Sequence, residues 1–453
     1  MASIYGYFAR RIPNLLLYSN VVMREDMTDE QRIRVSLAML PLYEMFLTQR
    51  EYPVKSTSAA EAWLQEAKAD FAGVRSSFRI DESIVSYTRC IVHAPPGSEV
   101  LAKGYAGRST VLLCANLYRD CLEDISRALN LPCPDHLKLE LYVKRARCLI
   151  ALETYENCDY KKDIAKALEE AAKYSGQMTN DAVREYIKKQ IENPDRLRSS
   201  KDPYKKWLGE AQTPQINSEN PELKGVSSAL ALRYTNVDGR YMAATRNIQA
   251  GEVVAVLKPY AASVCPTKAL THCGHCMEQA WSAIPCDKCC RIVYCNEECK
   301  KKDYEQFHDI ECQVIHHLNF PHTASQGPLS LRVFIKALKE AQIIGFLREK
   351  IRDIDSRLDE RMKGFTNGIL DENNCACMYA LMTDGAKQRP LQLREFLLYA
   401  ILATVTLAMK TYIFGEKCSS KADIERIRNH EDFIFVAELI LRSIKITATN
   451  SRI

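Results

Sequence analysis

Hydrophobic and polar positions fall into three textures along this chain. From Ala60 to about residue 174, small and apolar residues recur three and four positions apart, the period of a helix with one buried face. The pattern itself repeats at roughly 34 to 40 residues. One copy holds Trp63, Ala67, Ser83, Ile84 and Tyr87 and closes at Pro95. A second holds Tyr105, Ser109, Tyr118, Cys121, Leu122, Ile125, Ala128 and Leu129. A third holds Tyr142, Ala146, Leu149, Tyr155, Cys158, Ile164, Ala167 and Leu168. Small residues let paired helices approach and aromatics fill the space between pairs. The first copy carries extra residues around Arg75 to Arg79, and the third carries extra residues near Asp159. A generic helical bundle is the competing reading. From Ser227 the period drops to two. Ala229 to Tyr234, Tyr241 to Thr245 and Val253 to Leu257 predict short strands, with turns at Asp238-Gly239 and Ala250-Gly251. Beyond residue 326 the helical period returns. Leu329, Val333, Phe334, Ala337, Leu338 and Ile344 share a face, and Phe396 to Tyr412 and Phe433 to Ile446 predict two more helices. The fold class is therefore mostly α with a small β part.

Composition narrows this picture only slightly. A length of 453 residues suggests two to four domains, and a net charge of +5 argues neither for nor against nucleic acid. Residues 175–225 read as a helix and then a linker, broken at Asn193-Pro194-Asp195 and ending in Pro214, Asn220 and Pro221. Their basic residues, Lys188, Lys189, Arg196, Arg198, Lys201, Lys205 and Lys206, read as a solvated face in preference to a nucleic-acid patch. The longest apolar run, Phe396 to Met409, contains two threonines, is too short to span a bilayer and reads as a core helix. The first residues lack the apolar core of a secretory signal, so the eighteen cysteines are expected to be reduced, in cytoplasm or nucleus.

The chemistry concentrates between Cys273 and Cys312. Cys273 and Cys276, and Cys286 and Cys289, are C-x2-C pairs; Cys295 and Cys299 form C-x3-C, and His308 and Cys312 form H-x3-C. Zinc takes four thiolate or imidazole ligands in a tetrahedron, and such short spacers let one turn present two of them. Eight ligands make two closed, structural sites. Spacing alone allows sequential or interleaved pairing.

This cluster is similar to the MYND finger, including Tyr294 before Cys295 and Phe307 before His308. Upstream, Asp238 to Ile248 followed by Ala250-Gly251-Glu252-Val253-Val254 resembles the opening of a SET domain. Downstream, Tyr379-Ala380-Leu381-Met382-Thr383 and Arg389 resemble a helical insert of the same family. The helical copies resemble tetratricopeptide repeats. Together, over about residues 60 to 453, these features resemble the SET and MYND domain-containing proteins, of the fourth, repeat-bearing type. Tyr105-Ala106-Gly107-Arg108-Ser109 and Asp120 to Leu129 carry the last part of that resemblance.

The resemblance implies protein-lysine methylation with S-adenosylmethionine. It places Gly239, Arg240 and Tyr241 beside that cofactor and pairs the metal ligands one-three and two-four for two zinc ions. Cys290, next to Cys289, is expected to point away. Domain boundaries follow: 1–57, a helical segment; 58–174, tetratricopeptide-like repeats; 175–225, helix and linker; 226–270, the first part of the SET domain; 271–315, the MYND finger; 316–453, the helical SET insert. Expected partners are proteins or peptides at the repeats and finger and a histone or other lysine-bearing substrate; neither membrane nor nucleic acid is expected. Trp281, in the nine-residue loop between knuckles, is the candidate platform for a proline-rich peptide, with Ile284 and Val293 equally suited to the finger's own core. The repeats are not expected to clamp chaperone carboxylates, because the corresponding positions hold Leu64, Lys68, Gly107, Glu140 and Lys144.

The sequence also departs from the family pattern. It contains no Asn-His-Ser-Cys, no late channel tyrosine and no three-cysteine cluster after it; Asn429-His430 is followed by Glu431, and Cys375 and Cys377 lack a third cysteine. No catalytic residue is therefore assigned, and the second half of the SET domain is expected to be missing from this chain. Two function classes compete: a lysine methyltransferase, or a non-catalytic scaffold of repeats and finger.

Overall fold

The computed structural model describes Tyr18 and residues 21–24, 26–47, 54–73, 80–156, 159–174, 214–318, 326–383 and 390–450. Arg75 to Arg79, Cys158, the linker around Asn193-Pro194-Asp195 with its basic residues, Arg389 and the last three residues lie outside them. The elements run in chain order. Helices α1 (Asp29–Met39) and α2 (Leu42–Leu47) come first, followed by α3 (Thr57–Gly73), α4 (Ile80–His93), α5 (Glu99–Cys114), α6 (Tyr118–Leu129), α7 (Asp135–Glu156) and α8 (Lys161–Tyr174). Strands β1 (Leu230–Thr235) and β2 (Gly239–Ala244) precede β3 (Ile284–Pro285) and β4 (Val293–Tyr294). Then come α9 (Glu297–Asp303), a π-helical turn (Tyr304–His308), α10 (Asp309–Val314), α11 (Gln326–Ala341), α12 (Ile344–Ser356), α13 (Cys375–Tyr379), α14 (Pro390–Lys410), α15 (Lys421–Ile427) and α16 (Glu431–Asn450). The chain divides into two compact units, one of Met1–Tyr52, Ala211–Pro266 and Asp303–Ile453, the other of Pro53–Glu210 and Thr267–Lys302.

In the second unit, α3 to α8 form three helix pairs, each helix packed on its sequence neighbour; α3 also touches α5, and α5 touches α7. Ala60, Leu64 and Ala67 on α3, and Tyr118, Cys121, Ile125 and Ala128 on α6, are buried at helical spacing. Gly107 lies against α4: a Cβ there would stand 2.1 Å from the Tyr87 ring. The turn from α5 to α6 is set by Asn116, whose φ of 59° lets the Leu117 amide reach back to the Leu112 carbonyl at 2.9 Å. That closure satisfies a carbonyl left over at the end of α5.

The first unit is built on α14, α16 and α11, with α1 and α2 packed against them. Thr28 opens α1 with a capping box: its hydroxyl accepts from the Gln31 amide, and the Gln31 side chain accepts from the Thr28 amide. Within α14, Leu391–Lys410 is long and apolar enough to cross a membrane, yet 78% of its most apolar stretch is buried inside the protein. Its apolar surface is spent on the core, where Phe396 to Val405 lie among Phe433, Val436 and Ile440. Strands β1 and β2 pair antiparallel from Leu230↔Ala244 to Thr235↔Gly239. The expected third strand, Val253 to Leu257, makes only one bridge, Val226↔Ala255. Hydrogen bonds at Val254 and Val256 flank that bridge, and Leu257 beyond it is exposed, so no alternating face is buried there.

Candidate metal centre

The finger's backbone folds around a two-residue ladder, Ile284↔Tyr294 and Pro285↔Val293. Ahead of it, Cys273, Gly274 and Met277 are tied down by backbone hydrogen bonds to Glu278, Val293 and Cys273, and Met277 takes a φ of 64° to close the knuckle. Behind it, the Asn296 side chain accepts from the Cys299 amide at 2.8 Å, capping α9 and placing Cys299 in its first turn. These devices bring Cys273, Cys276, Cys295 and Cys299 together, with all four sulfur atoms within 4.8 Å of one another.

The geometry fits a tetrahedral zinc ion. With Zn–S bonds of about 2.3 Å, the edge of a sulfur tetrahedron is about 3.8 Å. The Cys276 and Cys295 sulfurs stand 3.8 Å apart. Burial, with crowding by neighbouring cysteines, pushes the Cys276 and Cys295 thiols up to about 12 and Cys299 to about 11. Burial also works to raise Cys273, but the amides of Cys276, Cys295 and His275 outweigh it and its pKa is lowered. One thiolate is thus favoured and the other three are opposed, a conflict that a central dication resolves.

Cys286 and Cys289, also in the second unit, form their own knuckle, in which the Cys286 sulfur accepts from the Lys288 and Cys289 amides. Cys290 turns away and packs with Val92, Ala280, Ala283 and Val293. His308 and Cys312, in the first unit, lie four residues apart and buried. The His308 Nδ1 is 3.0 Å from Glu311. Burial alone would raise the Glu311 carboxyl, but the Arg332 guanidinium and His308 outweigh it and hold it low.

Trp281 is not a surface platform. It is 6% exposed and packs in the core of the helix pairs. The loop carrying it is held by side chains that motif reading does not identify. Ser282 donates through its amide and hydroxyl to Asp120, at 3.2 and 2.7 Å. Arg108 donates to the Ala283 carbonyl at 2.7 Å, and Arg127 donates to the Ser282 carbonyl. The one signal in the sequence is a charged residue, Arg108, in the otherwise apolar and small stretch of α5.

Gly239, Arg240 and Tyr241 sit together at the start of β2. Gly239 has a φ of 68°, which the turn from β1 needs and a side chain would strain. Arg240 donates to the Lys363 carbonyl at 2.6 Å and to the Ala380 carbonyl, and burial lowers its pKa. In this arrangement the guanidinium binds main-chain oxygen. Tyr241 is exposed at the pair Arg233↔Tyr241.

No protein-family model matches the chain, and no solved structure matches it. Curated proteins do. The protein-lysine N-methyltransferase SMYD4 of Gallus gallus is 28% identical over 291 residues, covering 59% of this chain and 38% of that protein. SMYD4 of Danio rerio is 25% identical over 357 residues, 73% of this chain and 41% of its own. A SET and MYND domain-containing protein of Dictyostelium discoideum is 31% identical over 131 residues, 28% of this chain and 33% of its own. The chain thus spans about two fifths of the length of the SMYD4 relatives. With its mostly helical fold and zinc-capable cysteine cluster, the chain is similar to the SET and MYND domain-containing proteins.

Proposed function

We propose that these residues form the zinc-bearing, partner-binding portion of a protein-lysine methyltransferase that uses S-adenosylmethionine. The observation that carries this reading is the four-thiol cluster of Cys273, Cys276, Cys295 and Cys299, in a chain whose relatives are named lysine methyltransferases. The ligand spacing supports a second zinc ion on Cys286, Cys289, His308 and Cys312. Both zinc ions are structural, since each has four protein ligands and no open position. Tetratricopeptide-like helix pairs supply a peptide-binding surface, and the hairpin at Gly239 to Tyr241 supplies one wall of the cofactor site. The substrate class is lysine-bearing protein, histones included.

Methyl transfer needs a neutral lysine amine held in line with the sulfonium methyl, so its acceleration comes from positioning and preorganised dipoles. Residues 1–453 contain no Asn-His-Ser-Cys, and we assign them no catalytic role on their own. The test is transfer of labelled methyl from S-adenosylmethionine to histone, with residues 1–453 alone and with a chain that includes that motif. We expect transfer only in the second case. Transfer by residues 1–453 alone would overturn the division of labour, and none by either would favour the scaffold reading.

A further inference from the structure

An imidazole can bind a metal through either nitrogen, and a helix does not by itself choose which. At His308 the choice is made by a neighbour. Nδ1 lies 3.0 Å from the Glu311 Oε2, three residues further along. An ionised carboxylate only accepts hydrogen bonds, so the proton resides on Nδ1 and the lone pair on Nε2. Glu311 is itself held. The Arg332 Nε donates to its Oε1 and the Arg332 Nη2 to its Oε2, both at 2.8 Å, in a two-pronged fork. Arg332 is held in turn from three directions: the Ala262 carbonyl at 3.1 Å, Asp303 at 3.2 Å and the face of Phe307 at 5.0 Å. The side chains of His308, Glu311, Asp303 and Arg332 are each no more than 2% exposed.

Asp303, His308 and Glu311 are close enough together to suggest a metal site of their own. The Arg332 guanidinium makes ion pairs with both carboxylates, so the cation there is already present. The π-helical turn at Tyr304–His308 explains how the group assembles. Such a turn adds one residue to the helical repeat and re-aims the side chains after it, here at the ring of His308.

We propose that Glu311 is the positioning residue of the His308 metal site, fixing the ring's tautomer and direction, and that Arg332 is the clamp that fixes Glu311. This rests on the reading of His308 as a zinc ligand. It goes beyond the ligand set by naming the carboxylate behind the ligand and by tying that site to α11. A partner of this kind typically contributes 10- to 100-fold in metal affinity.

The experiment uses the full 453-residue chain. The first measurement needs no variant. Nitrogen-15 NMR of histidine-labelled, zinc-loaded protein is expected to show His308 protonated on Nδ1 and metal-bound through Nε2; metal on Nδ1 would overturn the proposal. The second is zinc affinity by chelator competition, with the cobalt-substituted absorption spectrum as a ligand-set signature. Glu311→Gln and Arg332→Met should each weaken the His308 site about 10- to 100-fold while the four-thiol site holds its metal. If these variants lose only folding stability and keep affinity and cobalt spectrum, the network merely holds the fold and the proposal fails. If wild type binds zinc at the four thiols only, the zinc reading of His308 fails instead, an outcome seen before any variant is made.

Discussion

Arg108 and Asp124 meet through two parallel hydrogen bonds of 2.7 and 2.8 Å, with both side chains wholly buried. The same guanidinium also donates to Thr88 and to the Ala283 carbonyl. One residue thus ties α4, α5 and α6 to the loop of the finger. Removing one partner of such a pair leaves a charge without water or counter-charge. We expect Asp124→Ala to destabilise the chain by about 3–5 kcal/mol. Urea unfolding at neutral pH measures it; a loss under about 1 kcal/mol, the range of an exposed pair, would show that the site is wet.

We expect the finger to depend on its metal and, through its loop, the environment of Trp281 to do so as well. We expect a strong chelator to lower the unfolding midpoint and to increase acrylamide quenching of Trp281 fluorescence, taken as the difference from Trp281→Phe. Trp281→Ala should cost about 3–5 kcal/mol by leaving a cavity among the helix pairs, without reducing the zinc content of the folded fraction. A quenching difference that chelation leaves unchanged would mean that the loop stays docked without metal.

Trp281 also marks the boundary of what the sequence discloses. The ligand pairs are legible because coordination geometry imposes a spacing along the chain. The helix pairs are legible because burial imposes a period: Ala60, Leu64, Ala67, Tyr87, Cys121 and Ile125 all lie in one core. Burial of Trp281 is decided by Asp120, Arg108 and Arg127, more than 150 residues earlier, where no local pattern points to it. Arg240 is the same kind of case: its carbonyl partners, Lys363 and Ala380, lie 123 and 140 residues away. Glu311 is not legible because a carboxylate one position before Cys312 has the pattern of ordinary helix surface, and its partner Arg332 lies 21 residues further on.

The helix pairs should not clamp a C-terminal carboxylate. Lys144 donates to Thr110 at 2.7 Å, stands 3.9 Å from Glu140, and has its pKa lowered by burial. The Tyr87 ring covers Gly107, where an asparagine would be needed. For a peptide ending in Glu-Glu-Val-Asp we expect a Kd weaker than about 1 mM by calorimetry, hence less than about 4 kcal/mol of binding free energy. Micromolar, salt-sensitive binding would place the cationic groups elsewhere on the surface.

A last prediction concerns acidity between α1 and α16. Glu438 is half-buried, and its Oε1 has no hydrogen-bond partner. Burial pushes its pKa up to about 7, with Glu30, Glu431 and Asp29 adding to the shift and Arg34 opposing it. Arg34 is itself shared between Glu30 at 2.8 Å and Glu431 at 3.5 Å, while Lys445 is 2.6 Å from Asp29. The folded value lies above the ordinary 4.5, so between about pH 4.5 and 7 the folded chain keeps a proton that the unfolded chain releases. Stability from this group is therefore complete below that window and declines as pH rises through it. Glu438→Gln removes the dependence, because the amide is neutral throughout. We expect the variant to match wild type in urea midpoint near pH 4.5 and to exceed it near pH 8. Comparing the two proteins at each pH cancels the shared effects of metal release and of the other carboxylates. A difference that stays constant from pH 4.5 to 8 would mean that Glu438 titrates as an ordinary carboxylate and that the contact between α1 and α16 carries no proton.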